Sequence, residues 1–273
     1  MNNMITSFDN FFFDPTSKNK SIKWDKYFDS YEKLFKNYRN KKIIFVEIGI
    51  QNGGSLDIWS KYFSKDSTII GIDINPDCKK FERDNIKIFI GNQSDENFWL
   101  DFFNKIGKVD IILDDGGHTN LDQITTLVNC FKNINDGGLF VTEDTHTSYI
   151  KKYNSNKKFS FINFSKKIID DINFRNSKEF DQFNFSLNKY IYSVQFFESI
   201  VAFEIDKNKC NLNNLIINTG QDSKIIDLTW EGNEIKIKKI KNFLKNIPFI
   251  RFNKFTNFIK NKINNKIIKK YFL

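Results

Sequence analysis

IIFVEIGIQNGGSLDIWSKYFS, residues 43–64, is the stretch on which the fold turns. Its first eight residues form a continuous apolar run interrupted only by Glu47, as a strand covered on both faces should. The segment from Asn52 onward opens a helix. The turn between them carries Gly49, Gly53 and Gly54, which let backbone come close to a ligand at a helix N-terminus. The spacing is not G-x-G-x-x-G, because the second glycine falls four places after the first. A loop that grips a dinucleotide phosphate is therefore disfavoured, and the acidic Glu47 argues the same way. A carboxylate there suits a ligand bearing an ammonium or sulfonium charge. A tight strand–helix turn with no ligand explains the loop too.

Working outward, STIIGIDI (67–74), IKIFIGN (86–92), VDIILDD (109–115) and GGLFVTED (137–144) read as further strands. Helices over residues 95–107 and 121–134 alternate with them. That alternation specifies an α/β fold with a doubly wound, mostly parallel sheet. Residues 190–205 read as two strands closing the sheet edge as an antiparallel hairpin. Upstream, Trp24, Tyr27, Tyr31, Leu34 and Phe35 recur at helical spacing and predict an amphipathic opening helix over 20–40. The expected organisation is a helical cap (1–42), a main domain (43–206, with 150–188 a cap or insertion) and a basic extension (207–273).

The net charge of +9 is unevenly spread. From Ile235 to Leu273 there are twelve Lys and Arg and no Asp or Glu, which leaves 30 basic against 33 acidic residues before it. The main domain is thus slightly acidic, and nucleic acid is not an expected partner. Cys78, Cys130 and Cys210 are scattered without metal-ligand spacing, which suits reduced thiols in a cytoplasm. No signal peptide and no membrane-spanning apolar stretch are expected. In the tail, Phe252, Phe255, Ile259, Ile263 and Ile267 recur at helical spacing among lysines. Such a stripe suits packing on the protein or on a second copy in a homo-oligomer, as any surface helix needs, with peripheral contact with an anionic inner membrane as the sharper alternative.

Ligands of doubly wound sheets sit beyond the carboxyl ends of the strands. Asp73 ends the second strand and is well placed for ribose hydroxyls; capping the turn at Asn75-Pro76 is its alternative role. Asn92 and Gln93 follow the third strand, where an adenine edge or plain loop polarity accounts for them. Asp114, Asp115 and His118 follow the fourth strand, and Glu143 and Asp144 the fifth. Converging carboxylates repel unless a cation or proton intervenes. Hard oxygen ligands suit Mg²⁺ or Mn²⁺. The chain's only two histidines, His118 and His146, flank this cluster. Beside a metal that acidifies a hydroxyl, His118 suits a general base; helix capping is the alternative.

FVEIGIQNGGSLDIWSKYF, IIGIDINPDC, VDIILDDGGHTNLDQITTL and GGLFVTEDTHTSY together resemble the macrocin and mycinamicin type of sugar O-methyltransferase and related enzymes of surface-glycan loci. The resemblance covers roughly residues 24–150. It implies a Rossmann-like class I methyltransferase that uses S-adenosylmethionine and Mg²⁺. Carried over position by position, it makes Asp115, Glu143 and Asp144 metal ligands and His118 the base. Glu47, Gly49, Gly53, Gly54, Ser55, Asp73, Asn92, Gln93 and Asp114 fall to the cofactor. Where those relatives often have DDGSH this chain has DDGGH, and where many have Gly-Asp it has Gly91-Asn92, which alters the residue offered to adenine. The implied substrate is a small molecule or glycan, methylated on a sugar hydroxyl in glycoside, capsule or lipopolysaccharide synthesis. Competing expectations are a non-sugar hydroxylated metabolite as acceptor, an NAD-dependent oxidoreductase, and an inactive peripheral scaffold.

Overall fold

The computed structural model of the chain describes residues 7–153, 157–175, 186–211 and 216–221. By internal contacts the chain divides into two compact units, residues 1–214 and 215–273, and the elements below all lie in the first. The apolar stripe of the basic tail lies outside the described residues. Among the described residues no helix is long and apolar enough to cross a membrane.

Seven strands form one sheet: β1 (Ile44–Ile48), β2 (Thr68–Asp73), β3 (Ile86–Ile90), β4 (Val109–Asp114), β5 (Ile134–Thr142), β6 (Ile191–Phe197) and β7 (Ile200–Ile205). Their spatial order is β3-β2-β1-β4-β5-β7-β6. The first five are parallel, and β7 runs antiparallel to both β5 and β6. This is the doubly wound sheet with an edge hairpin that the pattern predicts. Strand order reverses between β1 and β4, which opens a crevice at their carboxyl ends.

Successive strand residues point to opposite faces, so each apolar run fills two cores. Phe45, Ile69, Ile111 and Val141 face α2 (Tyr27–Phe35) and α3 (Gly54–Tyr62), joined by Phe8 of α1 (Ser7–Phe12). Val46, Ile70, Ile112 and Phe140 face the other side, against α4 (Glu96–Ile106), α5 (Asn120–Cys130) and α6 (Phe161–Phe174). The starts of α4, α5 and α6 are fixed by Asp95, Thr119 and Ser160, whose side chains accept the N–H of Asn97, Asp122 and Asn163. Helix α6 lies in the stretch expected to be a cap or insertion, and its Phe161 and Ile168 are fully buried in the second core.

Two boundaries differ from the reading of the sequence in ways that shape the site. The helix expected over 20–40 runs only from Tyr27 to Phe35, followed by a 3₁₀ turn, Lys36–Tyr38. Residues 20–26 form a non-helical arm, from which Lys23 reaches Asp115 and the buried Glu143. The fifth strand begins at Ile134 rather than 137, with left-handed Gly137 (φ 79°) letting residues 135–138 bulge from the ladder. It ends at Thr142, which leaves Glu143 and Asp144 just beyond the sheet.

Candidate active site

A cavity of about 740 Å³ opens at the carboxyl ends of β1 to β4, a size ordinary for small-molecule sites. Its walls are Gly49, Gln51 and Asn52 after β1, Asp73, Ile74 and Asn75 after β2, and Gly91, Asn92 and Gln93 after β3. Asp115 to His118 after β4, Asp144 after β5, and Ile22 of the arm complete it.

The first loop meets the fourth strand at backbone contact. Gly49 has φ +82°, and a Cβ there would lie 2.1 Å from the Asp115 carbonyl oxygen. Asp73 holds the loop open: its Oδ2 accepts from the N–H of Ile50 and Gln51, each at 3.0 Å, and its Oδ1 from Asn75 N–H at 2.9 Å. Asp73 therefore both caps the turn and faces the cavity, and its Oδ1, which accepts a single N–H, retains a lone pair for a ligand. Glu47, Gly53, Gly54 and Ser55 stand behind the loop, outside the cavity wall. Ser55 Oγ donates to Glu47 Oε2 at 2.6 Å, Gly53 abuts the Phe81 ring, and Gly54 abuts the Lys20 backbone. Burial pushes the Glu47 carboxyl up to about 7, against the opposing pull of Lys23 and Ser55. The ammonium nearest Glu47 belongs to the chain itself, with Lys23 Nζ 3.8 Å from Oε1.

Gln93 braces the fourth-strand loop. Its amide donates to Asp114 Oδ1 (2.9 Å) and Thr126 Oγ1 (3.0 Å), and its oxygen accepts Gly117 N–H at 2.7 Å. Asp114 is buried beneath that loop, and burial pushes its carboxyl up to about 7. Asn92 lies on the cavity wall and its side-chain oxygen accepts Ser94 N–H at 2.9 Å.

Asp115, His118 and Asp144 converge, each offering one ligand atom within 4.8 Å of the others. His118 Nε2 is 3.6 Å from Asp144 Oδ2 and 3.9 Å from Asp115 Oδ1. Both His118 (φ 57°) and Asp144 (φ 53°) are left-handed, uncommon for residues other than glycine and a form of strain that clusters at functional sites. The Thr147 hydroxyl lies 2.8 Å from the carbonyl oxygens of both and ties them together. His146 is more peripheral, with Nδ1 3.9 Å from Asp144 Oδ1 and its ring edge-on to Trp24.

Glu143 is adjacent to Asp144 in sequence but faces elsewhere. Lys23 Nζ donates to Glu143 Oε2 at 2.9 Å and to Asp115 Oδ2 at 2.6 Å, and Tyr31 OH donates to Glu143 Oε1 at 2.5 Å. Tyr27 OH donates to Asp144 Oδ1, also at 2.5 Å. Burial alone would lower the pKa of Lys23, but Asp115 and Glu143 hold it well above the ordinary lysine range. Glu143 is pushed up by burial and by the charge of Asp115, with Lys23 and Tyr31 pulling against that. Lys23, Tyr27 and Tyr31 were not among the sequence candidates. Their signal was the four-residue spacing, with tyrosine rather than phenylalanine at two positions of a buried stripe.

This strand order, with a cavity at the switch point and a glycine-bearing first loop, defines a Rossmann-like methyltransferase fold. Among solved structures the chain is similar to the methyltransferase MycE of the mycinamycin biosynthetic pathway in complex with Mg and SAH. That match has a TM-score of 0.67 and 23% identity over 80% of this chain and 58% of that one. A complex of MycE with Mg, SAH and mycinamycin VI matches with a TM-score of 0.65 and 24% identity, over 79% and 57%. These likenesses show the fold. No protein-family model matches the chain. Similar curated proteins include the 8-demethyl-8-alpha-L-rhamnosyl tetracenomycin-C 2'-O-methyltransferase of Streptomyces olivaceus, 32% identical over 56% of this chain and 43% of the relative. Demethylmacrocin O-methyltransferase of Streptomyces fradiae is 33% identical over 49% of this chain and 35% of the relative. Mycinamicin VI 2''-O-methyltransferase of Micromonospora griseorubida is 33% identical over 44% and 31%. The matched stretches cover less than half the length of each of these relatives.

Proposed function

We propose that the chain is an S-adenosylmethionine-dependent, Mg²⁺-assisted O-methyltransferase acting on a sugar hydroxyl of a glycoside. The observation that carries this reading is the convergence of Asp115, His118 and Asp144 on the wall of a cavity that Asp73 and the Gly49 loop also line. The tetracenomycin relative supports the class of acceptor, since its name describes O-methylation of a rhamnosyl compound. The other two names likewise describe O-methylation of small molecules rather than of capsule or lipopolysaccharide.

The residues present fit both groups. The carboxylates of Asp115 and Asp144 are hard oxygen donors of the kind that hold Mg²⁺ or Mn²⁺, and the close backbone approach at Gly49 suits a bulky cofactor. When bound, the metal supplies a lowered pKa for a coordinated hydroxyl and the cofactor an electrophilic methyl. The chain's residues do the rest. Asp115 and Asp144 would hold the metal and so orient the hydroxyl-bearing ligand, and Asp73 and the Gly49 loop would hold the nucleoside. His118 would accept the proton of the attacking hydroxyl at Nε2 during methyl transfer. General-base help of this kind is worth ~10²–10⁴-fold.

A second reading of His118 has its own support. Its Nε2 lies within the three-residue donor group, where it would serve as a third metal ligand instead of a base. The function itself is tested by methyl transfer from labelled S-adenosylmethionine to a panel of glycosides and sugar nucleotides, with Mg²⁺ or EDTA. Transfer that requires Mg²⁺ and a sugar hydroxyl is expected. Binding of NAD in place of S-adenosylhomocysteine, or full turnover in EDTA, overturns the proposal.

A further inference from the structure

Lys23 has no part in that mechanism, yet it occupies the electrostatic centre of the site. Its side chain is only 5% exposed, and its ammonium lies 2.6 Å from Asp115 Oδ2, 2.9 Å from Glu143 Oε2 and 3.8 Å from Glu47 Oε1. Asp115 thus faces two ways. Oδ2 is bound to Lys23, while Oδ1 lies 3.9 Å from His118 Nε2. Glu143 has both oxygens engaged, by Lys23 on each and by Tyr31 on Oε1.

We propose that Lys23 is a built-in cation that competes with the divalent ion for Asp115 and Glu143, so that the metal is held weakly and exchangeably. The inference rests on the metal reading above. Three effects act in the same direction. The ammonium neutralises one oxygen of a candidate ligand, withholds a neighbouring carboxylate, and repels a second cation across a poorly screened interior. Lys23 also offsets the mutual repulsion of the carboxylates around it. A lysine suits this role because its point charge can be shared among several oxygens.

The test is Mn²⁺ binding to the full chain, freed of metal and without cofactor or acceptor, followed by the electron paramagnetic resonance of free Mn²⁺. Lys23→Met keeps the apolar stem and removes the charge, and should tighten Mn²⁺ binding roughly tenfold or more. Lys23→Arg keeps the charge and should stay within about threefold of wild type. Should Lys23→Met lose its near-ultraviolet circular dichroism, Lys23→Gln, whose amide still donates to one carboxylate, carries the same expectation. Unchanged or weaker binding in a folded neutral variant overturns the inference. If wild type binds Mn²⁺, Asp115→Asn loses it and the neutral variants match wild type, only the role of Lys23 falls. If neither wild type nor the neutral variants bind Mn²⁺, the metal reading falls and this inference with it.

Discussion

Gly49→Ala should damage both stability and cofactor binding, and its size follows from the backbone. At φ +82° an L-residue sits in the left-handed region, which costs an alanine ~1–2 kcal/mol. The added Cβ would also lie 2.1 Å from Asp115 O, 2.7 Å from Asp115 C and 2.8 Å from Gly116 Cα. All three are backbone atoms, so no side-chain rotation relieves the clash. The loop and the end of β4 must separate. That stretches the Asp115 N–H to Ile48 O bond (3.0 Å) and the Gly49 N–H to Ile72 O bond (2.8 Å), each worth ~0.5–1.5 kcal/mol. The total expected is about 3 kcal/mol of unfolding free energy, read as a lower urea midpoint at unchanged slope. Because the same movement shifts Asp115 and the loop over the cavity, affinity for S-adenosylhomocysteine by calorimetry should fall roughly tenfold or more. A loss below about 1 kcal/mol with unchanged affinity would refute the claim that close backbone approach at Gly49 shapes the site.

Glu47→Gln should flatten the pH dependence of stability. The folded pKa of Glu47 is raised from 4.5 to about 7, so its contribution is fully present below 4.5 and is lost as pH rises to 7. Relative to wild type, the glutamine variant should gain up to about 3 kcal/mol between pH 4.5 and 7.5 in urea unfolding; parallel curves would remove burial of the charge as the cause. His118→Gln should lower turnover ~10²–10⁴-fold while leaving Mn²⁺ affinity within about twofold. Loss of Mn²⁺ binding in that variant would make His118 a ligand instead of the base.

The sheet was legible because its central strands β1, β2 and β4 are buried on both faces and read as largely apolar runs bounded by polar or glycine-bearing turns. The positions of Asp73, Asp115, His118 and Asp144 followed from strand ends alone, since a doubly wound sheet gathers those ends at one edge. The roles of Glu47 and Asp114 were less legible. A period-two pattern says that a strand-end carboxylate is present, but not whether it faces the cavity or, like Glu47 with Ser55, lies behind the loop. Lys23 escaped because its partners are 92 and 120 residues away, and a lysine beside Trp24 reads as the solvated side of a helix. The carboxylate cluster did announce a missing cation. Charge repulsion specifies the sign of what must intervene, not whether it is a metal or an ammonium from the same chain.

The reach of Lys23 has a consequence for how the protein comes into being. Its partner Glu143 is made 120 residues after it, a delay of roughly 6–24 s at ~5–20 residues per second of synthesis. During that interval the arm leaves the ribosome with the ammonium solvated and the helix that follows it lacking its sheet. The arm can dock only after β5 has joined the sheet, because Glu143 follows directly on that strand. The first part of the cavity's surroundings to be synthesised is thus among the last to be assembled, and a nascent chain stalled before residue 143 leaves the buried-carboxylate partner of Lys23 unmade.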